Sequence, residues 1–411
     1  MIYKPRILAG KFQHMIEAFA VVAVSGARQV GKSTLLKHEL PKWDAVVFDP
    51  VLDVGGARKD PELFLDNHPP PLILDEIQYA PELVGAIKRR VDRDKRPGMY
   101  VLTGSQQWSV LKALGESLAG RVVFLDLEGF CLSEIAAASA GEHWLKRYLD
   151  DPAAFVASPT ERLPPSRTVH EQLWRGFLPE VDSLDAGLIG EFHRAYLRTY
   201  IERDARVVAD VDDWQQFGRF VRLVGALTAQ EINHSQLGRE LGVTPQTAQR
   251  WLTTLRATFQ WFEVPAYHGS AVKRVSGKPK GYIADTGLAC SLHMLSSPQA
   301  LDGNPLTGAL FETAVVAEIR KLAAAMTAPP SIYHWRIYSG AEVDLLLERD
   351  GTFHPIEVKL ASQPARNDTR GITSFRENHP ELKVAPGLVI APTAATARVS
   401  DLDYAVPWDL R

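Results

Sequence analysis

The residues that decide the fold are 26–33, which read Gly26-Ala27-Arg28-Gln29-Val30-Gly31-Lys32-Ser33. They fit the pattern G-x-x-x-x-G-K-[ST], in which the backbone N–H groups of a glycine-containing loop point at phosphates. An apolar run at 19–24 precedes the loop and a helical pattern follows it, so a helix N-terminus adds its dipole to the site. We therefore expect a nucleoside triphosphate here, with Lys32 at its β and γ phosphates and Ser33 holding Mg²⁺.

Two adjacent acidic residues, Asp75 and Glu76, directly follow the apolar run 71–74. Asp75 is expected to bind Mg²⁺, directly or through water, and Glu76 to polarise the water that attacks the terminal phosphate. The predicted reaction is hydrolysis of ATP with Mg²⁺ as cofactor, and Lys32 and Glu76 are its predicted catalytic residues. The residues expected to contact the nucleotide are Gly26, Ala27, Arg28, Gln29, Val30, Gly31, Lys32, Ser33, Thr34, Asp75 and Ser105.

Two positions further along the chain are candidates for roles in hydrolysis. Thr103 or Ser105, at the end of the next predicted strand, is a candidate sensor of the terminal phosphate, and a simple strand-ending turn is the alternative. Arg121 is a candidate catalytic arginine finger, which would act on the nucleotide of a neighbouring subunit in a homo-oligomer. A surface salt bridge is the alternative for Arg121.

Apolar runs alternate with helical patterns through the first third of the chain, which indicates an α/β fold with a parallel sheet covered on both faces. The five predicted strands lie near 19–24, 45–48, 71–74, 99–102 and 121–127. The predicted domains are a P-loop core at 1–135, a lid or helical connector at 136–212, a helix-turn-helix at 213–292 and a domain of mixed strands and helices at 293–411.

Composition limits the compartment and the partners. The 411 residues carry a net charge of −3, so any surface for nucleic acid must be local. Two cysteines, far apart in sequence, argue against a disulfide framework and fit a reducing compartment. No signal peptide is evident, and the apolar stretch 16–24 is shorter than the about 20 residues that cross a bilayer. We expect a cytoplasmic protein without a membrane partner.

Residues 235–252 read as helix, turn and helix, with Gly242 at the turn, Thr244 as N-cap and Pro245 at the first helical position. Between 235 and 282, seven Arg or Lys stand against two acids, a local surplus that suits phosphate contacts. DNA is the expected partner, and a protein–protein module is the alternative. The side chains expected to face DNA are Gln246, Thr247, Gln249 and Arg250 on the second helix and Lys273, Arg274, Lys278 and Lys280 in a basic wing.

Acidic residues recur near the end of the chain. Glu342 to Leu347 reads as a strand that contains Asp344, and Glu357 and Lys359 lie two apart on the next strand, so their side chains share a face. Glu312, near the start of a predicted helix, completes the cluster. We expect Glu312, Asp344 and Glu357 to hold Mg²⁺, and Glu357 and Lys359 to act in catalysis. The alternative is a fold that keeps these charges for structure or for binding DNA ends without cutting.

The motifs together resemble a known family. GARQVGKS at 26–33, LDEIQ at 74–78, LTGSQ at 102–106, LAGR at 118–121, TYIERD at 199–204, KGYIADTGL at 280–288 and EVK at 357–359 are similar to bacterial and archaeal AAA+ proteins labelled "ATP-binding protein". These carry a C-terminal domain of unknown function. The resemblance implies an AAA+ core followed by a winged helix and a nuclease-like fold. The acids and Lys359 are similar to the motif of PD-(D/E)XK nucleases, a restriction-endonuclease-like α/β fold.

The predicted function is therefore ATP-driven processing of DNA, including branched DNA or DNA ends. Two alternatives from other classes stay open. One is a nucleotide-dependent switch whose C-terminal domain binds without cutting. The other is a transcription or defence regulator that acts through the winged helix.

Overall fold

The computed structural model describes residues 3–106, 118–164, 167–200, 205, 213–269, 277–337 and 340–411. Lys273 and Arg274, which are predicted to contact DNA, lie outside the described residues.

The first third of the chain contains a five-stranded sheet in which neighbouring strands are parallel, which confirms the predicted sheet. Its strands are β1 (Val21–Ser25), β2 (Asp44–Val47), β3 (Leu72–Asp75), β4 (Tyr100–Gly104) and β5 (Val122–Asp126). They are arranged in the order β2-β3-β4-β1-β5. Because parallel strands end at one edge of a sheet, the loop after β1 and the acids at the end of β3 meet there, with β4 between them.

Helices cover both faces of this sheet. They are α1 (Ala9–Ala18), α2 (Lys32–Glu39), α3 (Pro61–Asn67) and α4 (Leu83–Asp94). Side chains alternate along β1, so Val22 and Val24 pack in the core that contains Phe12 of α1, whereas Val21 packs in the core that contains Ile87 of α4. Burial on both faces explains why β1 reads as a continuous apolar run.

Helix α5 (Leu132–Ile135) ends the predicted core, and the segment predicted as a lid or helical connector follows it. The first helices of that segment are α6 (Trp144–Asp150) and α7 (Pro152–Ala157). The Tyr148 hydroxyl donates to the carbonyl of Pro386 at 2.8 Å, and the guanidinium of Arg162 pairs with Asp409 at 2.7 Å. Residues 144–163 thus form a strap on the C-terminal part of the chain.

The middle of the chain is helical with a small sheet. Its elements are α8 (Val169–Arg175), α9 (Pro179–Ser183), α10 (Ala186–Thr199), α11 (Trp214–Ala226), β6 (Gln230–Glu231), α12 (His234–Leu241), α13 (Pro245–Ala257), β7 (Trp261–Val264), β8 (Lys280–Ile283) and α14 (Thr286–Leu292). The three strands are antiparallel in the order β6-β8-β7. Helices α12 and α13 are the predicted pair: Gly242 has φ 72° at the turn, and Thr244 caps α13 by accepting from the N–H of Thr247 at 3.1 Å.

The C-terminal part is built on a seven-stranded mixed sheet. Its elements are α15 (Thr307–Ala325), β9 (Ser331–Arg336), β10 (Glu342–Arg349), β11 (Thr352–Val358), α16 (Arg370–Asn378), β12 (Lys383–Val384), β13 (Gly387–Ala391), β14 (Ala397–Arg398) and β15 (Asp403–Pro407). The order is β14-β15-β13-β11-β10-β9, and β12 pairs with β11. Strands β10 and β11 are antiparallel with Leu345 opposite Ile356. This register brings Asp344 and Glu357 to the same end of the strand pair.

One apolar cluster joins these parts. It runs from Phe12 near the start, through Phe220 in the middle, to Val406 near the end. The phosphate loop, the middle helices and the C-terminal sheet are therefore packed around a shared core.

Candidate functional site

The phosphate loop lies between β1 and α2, and its backbone requires glycine at two positions. Gly26 has φ 151°, and a Cβ there would lie 2.0 Å from the carbonyl oxygen of Leu127. Gly31 has φ 94° and Gln29 has φ 62°. Left-handed residues within a short loop turn successive N–H groups toward one point, which makes a concave site for an anion.

Lys32 is the first residue of α2, and its side chain folds back over the loop. Its ammonium donates to the carbonyl oxygens of Gly26 at 2.8 Å and Ala27 at 3.0 Å. The side chain is buried. A positive charge is therefore held within the curve of the loop.

The predicted metal ligands Ser33 and Asp75 are in contact. The Ser33 hydroxyl donates to Oδ2 of Asp75 at 2.7 Å, although the two residues are far apart in sequence. Thr103 of β4 is fully buried and donates its hydroxyl to the other carboxylate oxygen of Asp75. Thr103 therefore orients Asp75, a role that the sequence does not separate from phosphate sensing.

Glu76 follows in a left-handed backbone conformation, with φ 60° and ψ 45°. This conformation is strained for a residue with a Cβ and is typical of functional sites. The Glu76 N–H donates to the Thr103 hydroxyl at 3.0 Å. Its carboxylate accepts from the side-chain amide of Gln78, and the same amide nitrogen reaches the hydroxyl of Ser105 at 3.3 Å.

Arg6 belongs to this site and is missed by sequence reasoning. It is 7% exposed, and its guanidinium donates to the carbonyl of Val30 at 2.7 Å and to the carbonyl of Glu128 at 2.6 Å. A third bond, of 3.0 Å, reaches the carboxylate of Glu134. No local pattern marks Arg6, because its partners are distant in sequence.

Residues 18–136 match a AAA domain. This AAA domain is a P-loop ATPase domain, and it contains the loop, the two acids and Arg121. Residues 166–299 match a domain of unknown function (DUF8612), and residues 307–410 match another (DUF4143).

Relatives extend over the whole chain. Uncharacterized proteins of Mycobacterium tuberculosis and Mycobacterium bovis are each 28% identical over 410 residues, which cover 100% of this chain and 85% of theirs. Among solved structures, a Walker-type ATPase of Pyrococcus abyssi matches 71% of this chain and 96% of its own, with 14% identity and a TM-score of 0.41. The RuvB Holliday junction branch migration motor of Thermotoga maritima matches 66% of this chain and 94% of its own, with 17% identity and a TM-score of 0.29.

Arg121 of the AAA domain lies far from its own phosphate loop. The following residue, Val122, pairs with Val21 at the start of β1, whereas the loop follows the end of β1. Arg121 therefore lies at the N-terminal ends of the parallel strands, whereas the phosphate loop lies at their C-terminal ends. Its guanidinium pairs with Asp92 of α4 at 3.1 Å, and it remains partly exposed.

The structure brings the C-terminal acids together around two lysines. Lys280 of β8 lies 2.6 Å from Glu312 of α15 and 3.2 Å from Asp344 of β10. Lys359 lies 2.8 Å from Glu357 and 3.6 Å from Asp344. The Tyr282 hydroxyl also donates to Glu312 at 2.9 Å. We call this group of three acids and two lysines the acid corner.

Burial and neighbouring charges shift the pKa values of the acid corner. Burial, followed by repulsion from Asp344, raises the pKa of Glu312 to about 7 and lifts the pKa of Glu357 well above its ordinary value. Burial alone would raise the pKa of Asp344, but Lys280 and Lys359 hold it below its usual value. For Lys280, the carboxylates of Asp344 and Glu312 outweigh burial and raise the pKa.

One prediction needs correction here. Lys280 was predicted on a basic wing facing DNA, but it is 7% exposed and paired with two carboxylates. The metal site at Glu312, Asp344 and Glu357 stays a prediction: a search of the described residues for groups of three or more His, Cys, Asp or Glu that could hold a metal ion finds none. The ammonium of Lys280 lies between two of these acids and supplies the positive charge.

The predicted DNA-facing side chains of α13 are accessible. Gln246, Gln249 and Arg250 are exposed and Thr247 is partly exposed, while Trp251 on the same helix is buried. Lys278 is exposed just before β8. None of the helices in the described ranges is both long and apolar enough to span a bilayer.

Proposed function

We propose that this protein hydrolyses ATP with Mg²⁺ and couples hydrolysis to DNA bound by the middle domain, while its C-terminal domain binds without cutting. The observation that carries the proposal is the contact between Ser33 and Asp75 at the mouth of the phosphate loop. A hydroxyl and a carboxylate are the hard oxygen ligands that Mg²⁺ takes in P-loop sites. The metal would neutralise charge on the phosphates, and the protein supplies the remaining groups.

Lys32 and the loop N–H groups bind and orient the triphosphate. Water adds to the terminal phosphorus, the bond to the bridging oxygen breaks, and ADP and inorganic phosphate leave. The Glu76 carboxylate accepts the proton of that water. Its fixed left-handed backbone supports this role, because the side chain then starts from one defined position beside Asp75.

The order of helices and strands in the middle domain supports the proposal of DNA binding. Helix α11, strand β6, helices α12 and α13, and strands β7 and β8 follow one another as in a winged helix, which we place at 213–292. In such a fold the second helix of the helix-turn-helix enters the major groove. Gln246, Thr247, Gln249 and Arg250 are the proposed contacts on that helix, and Lys278 lies beside the proposed wing.

The C-terminal domain has the strand and helix pattern that we infer to be restriction-endonuclease-like. Cleavage by such a fold needs carboxylates that are free to hold a metal ion. In the acid corner Lys280, which is not part of the nuclease motif, pairs with two of those carboxylates, Glu312 and Asp344. This observation favours the alternative of a domain that keeps the fold and binds without cutting.

Arg121 supports a homo-oligomer. Arg121 lies at the opposite end of the strands from its own nucleotide site and is out of reach of it, so it could act as an arginine finger only in trans. The Asp92 pair would hold the side chain until a neighbouring subunit docks.

The test measures phosphate release from Mg²⁺-ATP with no DNA and with duplex, forked and four-way DNA at low salt. Lys32→Ala should abolish nucleotide binding, whereas Glu76→Gln should bind ATP and turn over at least about 100-fold more slowly. Lys37→Ala, on an exposed position of the same helix, is the matched control and should behave as wild type. Wild-type hydrolysis by Glu76→Gln would refute the assignment of the acid.

The same samples test the remaining parts. A rate that does not respond to any of the DNAs would favour a nucleotide switch over DNA coupling. A sequence-specific footprint that is insensitive to Glu357→Ala would favour a transcription regulator. Supercoiled plasmid with Mg²⁺ should remain uncut, and nicking that Glu357→Ala removes would restore the nuclease interpretation.

A further inference from the structure

Gln78 holds the carboxylate that the proposed hydrolysis depends on. It lies in the short 3₁₀ turn Ile77–Tyr79 directly after the two acids. Its amide nitrogen donates to Oε2 of Glu76 and lies 3.3 Å from the hydroxyl of Ser105. A primary amide has two N–H donors, so one side chain can serve both partners.

The bonds made by the neighbouring Thr103 do not orient the Glu76 carboxylate, so Gln78 can do so. Thr103 fixes the backbone of Glu76 through its N–H and fixes Asp75 through the carboxylate. Neither bond reaches the Glu76 carboxylate. Gln78 also keeps one buried atom without a partner in the described part of the chain, its own Oε1.

The three residues connect two strand ends. Glu76 and Gln78 follow β3, and Ser105 follows the neighbouring β4. Ser105 is buried and is one of the two candidate sensors of the terminal phosphate. A shift of its hydroxyl would change the position of the Gln78 amide, and the amide would carry that change to Glu76.

We propose that Gln78 is a positioning residue for ATP hydrolysis: its amide sets the orientation of the Glu76 carboxylate and couples it to the contact of Ser105 with the terminal phosphate. The inference rests on the proposed ATPase function. It adds that Glu76 takes its water-activating position only when that phosphate is present, because the Gln78 amide contacts both Glu76 and Ser105. An uncharged donor suits this role, since it orients the carboxylate without neutralising it.

The first test replaces the amide by a carboxylate of the same shape. In Gln78→Glu two carboxylates share the site, and two such groups cannot both ionise cheaply. The acid limb of the kcat–pH profile should therefore move to higher pH by about one unit or more. A residue that only supports the turn would lower the rate or the stability without moving this limb.

The second test removes both donors. In Gln78→Leu kcat should fall about tenfold to 100-fold while KM for ATP stays within about twofold, because the carboxylate loses orientation and the nucleotide keeps its contacts. Tyr79→Phe, in the same turn, is the matched control and should keep the wild-type rate and profile. Gln78→Leu also decides the matter if Gln78→Glu does not fold.

The outcomes separate the two proposals. Wild-type protein that neither binds nor hydrolyses ATP refutes the proposed function itself. Active wild-type protein with an unmoved acid limb in Gln78→Glu and an unchanged kcat in Gln78→Leu overturns the role of Gln78 alone.

Discussion

Replacing Lys280 by methionine tests whether the acid corner is a structural ion cluster. Lys280 joins β8 of the middle domain to Glu312 and Asp344 of the C-terminal domain and is almost inaccessible. Methionine keeps much of the length of the chain and removes the charge. Removal of one partner from a buried ion pair costs about 3–5 kcal/mol, because the remaining charge is buried without compensation.

The cost should depend on pH, since Glu312 can take up a proton. Its pKa is already raised to about 7, and loss of Lys280 raises that pKa further. The folded variant therefore binds a proton over a pH range in which the folded wild type has released it. Its stability relative to wild type falls as pH rises above about 7, by at most about 1.4 kcal/mol per unit. We expect a loss of about 3 kcal/mol at pH 6 and about 4 kcal/mol at pH 8.

Thermal unfolding at both pH values measures this loss. For a unit of 150–250 residues, 1 kcal/mol corresponds to about 2–4 °C, so Lys280→Met should unfold about 6–12 °C below wild type at pH 6 and lower still at pH 8. Lys278→Met, at an exposed position two residues away, is the control and should shift little. Adding Glu312→Gln to Lys280→Met should restore part of the loss. Equal stability of the two methionine variants at both pH values would refute the reasoning.

Three further predictions concern the AAA domain and the proposed DNA contacts of α13. Thr103→Val should destabilise the protein by about 1–3 kcal/mol in urea unfolding, because two polar groups lose their buried partner, and Thr103→Ser should not. Arg250→Ala should weaken DNA binding and reduce the slope of log affinity against log salt by about 1, whereas Lys42→Ala, at an exposed position of the AAA domain, should leave the slope unchanged. Arg121→Ala should lower kcat about 1,000-fold or more. If the arginine finger acts in trans, mixing the Arg121→Ala protein with the Lys32→Ala protein should recover activity. A mixture no more active than Arg121→Ala alone would exclude a finger in trans.

The AAA domain could be predicted from the sequence because its signals are local. The loop at 26–33 is one uninterrupted motif, and the apolar strands around it are short runs bounded by turns. The contact of Ser33 with Asp75 follows from these signals, since parallel strands bring their ends to one edge. The roles of Arg6 and Gln78 could not be predicted in this way. A hydrogen bond from Arg6 to Val30, or from Gln78 to Ser105, depends on side-chain geometry that no periodicity records.

The packing of the strap at 144–163 could not be predicted for a related reason. The sequence leaves this segment as a lid or a helical connector, because composition describes how a segment is built and not where it packs. The contact of Tyr148 with Pro386 joins residues that lie more than half the chain apart. Long-range packing of this kind is decided by shape and by the apolar core that all parts share.

The acid corner shows why a short motif cannot decide between cutting and binding. Asp344, Glu357 and Lys359 occur at the expected spacing, and the register of β10 and β11 brings them together as the motif predicts. The same three residues suit either a metal site or an ion cluster. Lys280, which is 64 positions from Asp344 in sequence, adds a contact that the motif does not contain. It reaches Oδ1 of Asp344 and Oε1 of Glu312, whereas Glu357 pairs with Lys359, the lysine of the motif itself. Ion pairs of this kind are compatible with either interpretation, so the nicking of supercoiled plasmid by wild type and by Glu357→Ala decides between cutting and binding.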